Sequence, residues 1–455
     1  MLGAFFVFGQ TELLYTLGTT NRTSFNRQEQ YPEIFQRENL ILFFKRAEAN
    51  GKMVFNSMTI VQMLPEMEEG GVEGETFDQA VYLAKKGYNS IVISGGGRLV
   101  EPLEKAGCRH ITWTDIGSKN PHCLKYITKL RQLLIDEKVD ILHLRSRLPA
   151  WVAYLAWKSL PARRRPALIT TFHGFYSVNR YSRIMTKGEK VVAVSQVIQD
   201  HIVSNYNTDP GKIELIHGGF DVDLFNPDRV DNERVEKLKR LWGLNDPHTP
   251  VIVLPGRLTN WKGQLEFIES LALIRNLPFI ALCIGQIDNS STFTKTIYEK
   301  ISRYNLEDKV KLVGHCDDMP AAMMVADIVV SASTSQPEAF GKVAIEAMAM
   351  SKPVVATGHG GSLETVVNKV TGLLVEPGNY QEMAQAITTL LSDADYCLKL
   401  GDAGRKWALE HFTAEIMCEK NHTLYKLMLH VKNEKEEQRK AYGITDAARF
   451  GWWWS

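Results

Sequence analysis

The stretch "EAFGKVAIEAMAMSKPVVATGHGG", Glu338 to Gly361, holds the fold in miniature. "KVAIEAMAM" is an alanine-rich helix former, "KPVVAT" a short β-branched run, and glycines punctuate both ends. A helix leading into a wholly apolar strand predicts a parallel sheet covered on both faces. Alanines at 344, 347 and 349 let that helix lie close on the sheet. Two carboxylates interrupt this apolar pattern. Glu338 falls just before the helix and Glu346 two turns inside it, on nearly the same face, since their spacing is close to a multiple of 3.6. A carboxylate there needs hydrogen-bond donors. Paired sugar hydroxyls are such donors, and two carboxylates along one face suit two sugars of one ligand. The helix dipole, which favours glutamate at an N-terminus, is the bland alternative; it explains Glu338 better than Glu346.

The same alternation extends in both directions. Upstream, "MTIVQML" (Met58–Leu64), "NSIVIS", "KVDILHL", "PALITTF", "KVVAVS" and "KIELIHGGF" read as strands. The loop "PEMEEGGVEGE" and the helix "TFDQAVYLAKKG" follow the first of them. "HGGFDVDLFNPDR" (His217–Arg229) breaks the rhythm, a helix covers Glu233–Trp242, and a second set begins with "TPVIVLPGRL". That set continues through "PFIALCIG", "KVKLVG", "DIVVSAS", "KPVVAT" and "GLLVEPG". Three helices close the chain: "YQEMAQAITTLLSD", Ala394–His411, and a long one from Thr413 to Lys435. The pattern predicts an α/β architecture of two Rossmann-like, doubly wound domains, residues 58–221 and 222–435, facing across a cleft. Residues 1–57 read as an extension without sustained periodicity, and Met58 is a candidate true start. Residues 436–455 read as a tail, in which "GITDAARFGWWWS" either docks on an apolar or membrane surface or makes no fixed contact.

Composition narrows the class. With 455 residues, 44% hydrophobic and 23% charged, the chain can bury ordinary cores. A net charge of +1 argues against nucleic-acid binding through a broad basic face. None of the six cysteines forms a CxxC or zinc spacing, so reduced thiols are expected and no metal site. No apolar run reaches the roughly 18 residues that span a bilayer. The opening "MLGAFFVFGQTELL" lacks the basic n-region and cleavage site of a signal peptide.

Chemistry-bearing residues cluster where strands end. "VIVLP" runs into Gly256 and Arg257, and "LTNWKG" supplies Lys262 at the opening of a helix. Two cations and a helix N-terminus at one turn suit a diphosphate. The side chains carry more of that attraction than the helix: a charge pair at ~4 Å is worth about 4 kcal/mol at intermediate dielectric, a helix terminus about 0.3–1 kcal/mol. Taken alone, both cations also read as surface charges. Arg145 and Arg147, in "HLRSRLPAWVAYLAW", follow a strand and suit an anionic acceptor or the solvent equally.

"PGRLTNWKG", "PEAFGKVAIEAMAMSKPVVATGHGGSLETV" and "TGLLVEPGN" together resemble the C-terminal domain of retaining glycosyltransferases of family 4, with the GT-B fold. "PEMEEGGVEGETFDQAVYLAKKGYNSIVIS" and "ITTFHGF" resemble that family's first glycine loop and His-Gly stretch, so the likeness covers Met58 to Lys435 in order. It implies C-terminal helices that pack back on the N-terminal domain. It implies Glu346 on the donor ribose, Glu338 at the transferred sugar, and Arg257 and Lys262 on the diphosphate. His173 would stand beside the sugar at the reacting centre. Gly256, Ala339, Phe340 and Gly341 would shape the turns approaching the donor, and Gly70 and Gly71 the loop closing over phosphate or acceptor. The activity implied is transfer of a hexose from a UDP- or GDP-linked sugar to a saccharide or glycolipid, without metal or other cofactor and without nucleic acid as partner. The look is closest to bacterial enzymes of lipopolysaccharide core and envelope synthesis, which implies the cytoplasmic face of the inner membrane and peripheral contact with it. An epimerase on the same fold and a non-catalytic nucleotide-sugar-binding subunit are the rivals; a Rossmann dehydrogenase fits poorly, because "GGVEGE" lacks the G-x-G-x-x-G spacing. Two departures stand out: Ser351 where the family's helix end carries glycine, and no basic residue near Gly74.

Overall fold

The computed structural model describes residues 57–118 and 121–441, so all of the expected N-terminal extension but Ser57, and the tail beyond Ala441, lie outside the described residues. Short runs of apolar residues form two wholly parallel sheets. The first contains β1 (Thr59–Met63), β2 (Asn89–Ser94), β3 (Arg109–Thr112), β4 (Ile141–Leu144), β5 (Ala167–Phe172), β6 (Lys190–Ala193) and β7 (Ile213–Leu215), in the order β3-β2-β1-β4-β5-β6-β7. The second contains β8 (Val251–Pro255), β9 (Ile280–Ile284), β10 (Val310–Gly314), β11 (Ile328–Ser331), β12 (Val354–Thr357) and β13 (Leu373–Val375), in the order β10-β9-β8-β11-β12-β13. Every residue of β4, β5, β8, β11 and β12 is buried, as strands covered on both faces require. The edge strand β3 escapes the sequence reading because Arg109 and Thr112 are exposed and no apolar run marks it. In each sheet the winding reverses beside the central strand, at β1/β4 and at β8/β11. Crevices at such reversals are where open α/β sheets bind ligands.

Two element boundaries differ from expectation. The first helix begins at Gly71, so "GVEGE" belongs to its opening turns and not to the loop. Glycines at both its cap and first positions hid that start. The last helix runs Ala414–Ala441, past the expected end at Lys435.

That last helix returns the chain to the first sheet. Phe220 N–H donates to the Phe412 carbonyl at 3.0 Å, and Ala414 N–H donates to the Phe220 carbonyl at 2.8 Å. Farther along, fully buried Tyr425 shares a 2.6 Å hydrogen bond with His143 Nδ1, whose Nε2 lies 2.6 Å from Thr171 Oγ1. Both ring nitrogens of His143, taken from water, thus find partners. The six cysteines are free thiols, five of them buried.

The helix Lys342–Ala349 lies against β11 and β12 with Ala344, Ala347 and Ala349 buried, as their size anticipates. Past its end Ser351 takes a left-handed φ of 56°, the conformation for which glycine is the usual choice. The neighbouring helix crosses so closely that a Cβ on Gly401 would meet the Ser351 carbonyl. Ser351→Gly is therefore expected to stabilise the fold by about 0.5–1 kcal/mol, relief of left-handed strain exceeding the added chain entropy. Thermal melts should show a rise of about 1–2 °C.

Candidate active site

Glycine geometry builds the second sheet's half of the site. Gly256, directly after β8, has φ 149°, which favours glycine, and lies beside the Lys262 side chain. Gln264 Nε2 donates to the Arg257 carbonyl at 3.0 Å, drawing the turn onto the helix Gln264–Leu273. The Arg257 side chain is left exposed. Lys262 Nζ reaches Glu338 Oε1 at 2.6 Å, both side chains being 14% exposed, and Ser333 Oγ donates to the same carboxylate oxygen. The loop carrying Glu338 is clamped by the turn at Gly360 and Gly361: Gly361 N–H donates to the Glu338 carbonyl at 2.8 Å. A Cβ on Gly361 would collide with the Phe340 backbone. Gly341, with φ 92°, then starts the helix Lys342–Ala349. The first N–H groups of that helix have no carbonyl partner within it, so they point out of its N-terminus beside Lys262 and Glu338.

The first sheet contributes His173, immediately after β5. Its Nδ1 lies 3.3 Å from Glu75 Oε2, and both side chains are nearly buried. Its Nε2 is buried with no hydrogen-bond partner. A buried orphan of this kind costs about 1–3 kcal/mol unless a ligand satisfies it. Thr259 Oγ1, His359 Nε2 and Ser362 Oγ, beside the turns just described, are buried orphans as well.

The carboxyl edges of the two sheets meet here. Ser195 Oγ, just past β6, donates to the Ala339 carbonyl. The Phe340 ring is buried, 5.9 Å from His217 and 5.7 Å from Phe412, so only its backbone is free to face a ligand. Glu364 accepts from the N–H groups of Gln196 and Val197 and from His217 Nε2 at 2.8 Å. Lys342 reaches across to the other sheet's glycine turn. Its Nζ would lie 3.4 Å from a Cβ on Gly74, and its Cδ 3.9 Å from one on Gly71. The basic residue that the sequence lacks near Gly74 is thus replaced in space by Lys342.

The charges around Lys342 are interdependent. Burial lowers the lysine's pKa, but Glu346 at 3.8 Å, with Glu75, Asp78 and Glu73, outweighs it and holds the ammonium above its ordinary value. Burial likewise raises the Glu75 carboxyl, yet His173, Lys342 and Arg145 bring it below the usual range. Glu346 is raised by burial, with Lys342 only partly opposing. Asp78 is pushed from 3.8 up to about 7, chiefly by burial, with Asp221 and Glu75 adding and Lys342 opposing. The folded chain therefore holds a proton at Asp78 that the unfolded chain has released. Stability declines as pH rises through that window, and the penalty is complete above about 7. Asp78→Asn is expected to flatten this decline, measurable as urea midpoints at about pH 5 and about pH 8.

Three sequence expectations are corrected. Glu338 precedes the helix as expected, but Glu346 sits one turn inside it and not two. The left-handed Gly341 between them breaks the helical spacing, so the two carboxylates do not stack on one face and have different cations, Lys262 and Lys342. Arg145 is neither a surface charge nor open to an acceptor: it is 1% exposed, and its Nε and Nη2 donate to Gln62 Oε1 at 3.2 and 2.7 Å. Arg147 is half-buried, its guanidinium over the rings of Tyr176 and Tyr181, and it donates to Ser182 Oγ. Gly70 caps the helix that Gly71 begins, and both lie at the carboxyl edge of the first sheet. Glu75 and Lys342 are the residues that sequence reasoning missed. The only trace of Lys342 was the missing cation near Gly74; Glu75 left none.

One group among the described residues has metal-like spacing: Glu69, His315 and Asp317, all exposed. Arg98 already pairs with both of its carboxylates, Glu69 and, at 2.7 Å, Asp317. It reads as a polar bridge between loops of the two sheets.

Comparison with known proteins agrees with this geometry. Residues 69–224 match the family model Glycosyltransferase Family 4, and residues 240–407 match Glycosyl transferases group 1. The crystal structure of a glycosyltransferase from Rickettsia africae ESF-5 is 36% identical, covering 82% of this chain and 99% of its own, with a TM-score of 0.75. The chain belongs to the GT-B glycosyltransferases. The Anabaena protein HepE, solved in complex with UDP-glucose, is 25% identical over 81% of this glycosyltransferase and 99% of its own chain, with a TM-score of 0.69. The Staphylococcus aureus capsular polysaccharide biosynthesis glycosyltransferase CapM is 28% identical over 243 residues, 52% of this chain and 62% of CapM. This glycosyltransferase spans little more than half the length of the first curated relatives it matches.

Proposed function

We propose that the protein transfers a hexose from a nucleotide sugar to a saccharide or glycolipid acceptor in cell-envelope glycan synthesis, with the anomeric configuration retained. The observation that carries this reading is Lys262, paired with Glu338 beside exposed Arg257 at the carboxyl edge of β8. A diphosphate brought to this turn shares the Lys262 cation and meets the Arg257 guanidinium and the N–H groups opening the helix Lys342–Ala349. Glu338, released from part of its charge pairing, accepts from hydroxyls of the transferred sugar. His173 Nε2 gains a sugar hydroxyl as its missing partner, and Glu346 accepts from the ribose.

Catalysis then rests on positioning and on cations placed where the leaving diphosphate develops charge. Arg257 and Lys262 supply two positive charges there, so activity is expected to persist in EDTA. The leaving phosphate assists the incoming hydroxyl on the same face of the sugar, which retains configuration. The complex of HepE with UDP-glucose and the capsular role in CapM's name favour a UDP-linked hexose and an envelope acceptor as the first pair to try.

The test is incubation with UDP- and GDP-linked hexoses and envelope saccharides, following nucleoside diphosphate release and the anomeric proton of the product. Release coupled to a longer, retained glycan supports the reading. An altered sugar stereocentre without release would indicate an epimerase. A donor that raises Tm but never turns over would indicate a binding subunit.

A further inference from the structure

Glu75 is buried near the start of the helix Gly71–Lys85, where a carboxylate needs specific partners. Residues far off in the chain place both of its oxygens. Oε2 lies 3.3 Å from His173 Nδ1, the histidine and glutamate side chains being 6% and 8% exposed. Oε1 lies against Gly218, where an added Cβ would collide with it and with the Phe340 ring. The carboxylate is thus wedged between the turn after β5 and the segment beyond β7, with little room to swing away. Its charge is kept partly from the other half of the molecule. Burial raises the carboxyl's pKa, but the His173 hydrogen bond and the charges of His173, Lys342 and Arg145 outweigh burial and bring it below its ordinary value. Lys342 comes from the helix that also carries Glu346. Its Nζ stands 3.4 Å from where a Cβ on Gly74, the residue before Glu75, would lie.

An ionised carboxylate only accepts hydrogen bonds. A neutral imidazole facing it therefore carries its proton on Nδ1, which leaves a bare lone pair on Nε2. That Nε2 is the buried nitrogen without a partner. We propose that Glu75 is a positioning residue that fixes His173 as a hydrogen-bond acceptor, so that the donor-sugar carbon facing Nε2 has to carry a free hydroxyl. The proposal rests on the nucleotide-sugar reading above and adds a selectivity to it. A sugar that is deoxygenated or O-substituted at that carbon leaves Nε2 orphaned and binds about ten- to a hundredfold more weakly. Without Glu75 the ring is free to take the other tautomer. An Nε2–H then donates to any oxygen or fluorine in that place, and the demand for a hydroxyl proton is lost.

The test reads tautomer and selectivity separately, on the full chain. Long-range proton–nitrogen NMR of protein labelled in its histidine rings shows which nitrogen of His173 is protonated, its signals being identified by their loss in His173→Asn. The proton is expected on Nδ1 in wild type, and that preference is expected to disappear in Glu75→Leu. Glu75→Gln, whose amide oxygen still accepts, should keep it in part and takes over the test if Glu75→Leu does not fold. A wild-type proton on Nε2, protons on both nitrogens, or a tautomer unchanged by the substitution overturns the proposal. Calorimetry then compares the binding of UDP-glucose with that of analogues in which one hydroxyl at a time is replaced by hydrogen or fluorine. Fluorine is close to a hydroxyl in size and cannot donate. At one position both replacements should weaken wild-type binding about ten- to a hundredfold, and the fluorine penalty should shrink about threefold or more in the Glu75 variant. Equal penalties in the two proteins overturn the proposal, since a glutamate that only supports the fold would weaken every analogue alike. The NMR result needs no substrate, so the two readings fail separately. A chain that binds no UDP- or GDP-linked hexose loses the donor reading above and the hydroxyl contact with it, whatever its tautomer; one that binds them all with equal penalties loses only the selectivity.

Discussion

Lys262→Ala is expected to lower turnover by about a hundred- to a thousandfold, with a smaller change in donor KM. Lys262 has two tasks in the proposed reaction. It balances the charge that builds on the departing diphosphate, and at 2.6 Å it neutralises Glu338 in a site where both side chains are 14% exposed. A unit charge pair at ~4 Å, the separation expected from a bound phosphate, is worth about 4 kcal/mol at intermediate dielectric. The N–H groups of one helix end supply about 0.3–1 kcal/mol, too little to replace it. Because charge on the diphosphate grows toward the transition state, the loss falls mainly on kcat. Glu346→Ala makes the contrast. Its proposed ribose contact is present equally before and during transfer, so donor KM rises while kcat changes little. Steady-state release of nucleoside diphosphate at saturating donor separates the two, with thermal melts confirming that each variant folds. Wild-type kcat in Lys262→Ala would remove this residue from the mechanism.

Gly263→Ala should destabilise the protein by about 3 kcal/mol or more, a fall in Tm of roughly 6 °C. Gly263 caps the helix Gln264–Leu273 with φ 76°, which costs an L-residue about 1–2 kcal/mol. The steric term is larger. An alanine Cβ would fall 1.8 Å from the Ala332 carbonyl oxygen, a backbone atom just past β11 with no side chain to swing aside. Relief requires the helix start and the loop toward Glu338 to separate. That loop and Lys262, the residue before Gly263, form the proposed donor site, so activity should fall along with stability. A melt unchanged within about 1 °C would show that the backbone yields at little cost.

Much of the architecture was legible in the chain. The apolar runs at β4, β5, β8, β11 and β12 are short and bounded by turn residues, and each is buried throughout. The helices Tyr380–Ser392 and Ala394–His411 begin and end where periodicity and caps place them; Asn379 and Asp393 both accept from N–H groups of the first turn. Ser351 was marked through the resemblance, which has glycine at that helix end, and its φ of 56° is the conformation glycine favours. β3 and the glycine-masked start of the first helix were not, because neither carries the periodic signal of its element.

The site was legible in its parts but not in its pairings. Arg257, Lys262, Glu338 and His173 lie at strand ends, where the winding of parallel sheets directs ligands. Nothing local revealed that Arg145 is sealed inside against Gln62, that Glu75 meets His173, or that Lys342 stands in for the missing cation near Gly74. Helices and strands are set by repeats of 3.6 and 2 residues, which a short window of sequence contains. Two doubly wound sheets, their order along the chain and the turns that carry charge are therefore written in such windows. Which charge meets which depends mostly on how the strand ends of each half come together, through contacts between residues far apart in the chain. Long-range folding joins Glu338 to Lys262 and carries Lys342, whose pairing with Glu346 is local to one helix, to Gly74 of the first sheet's half.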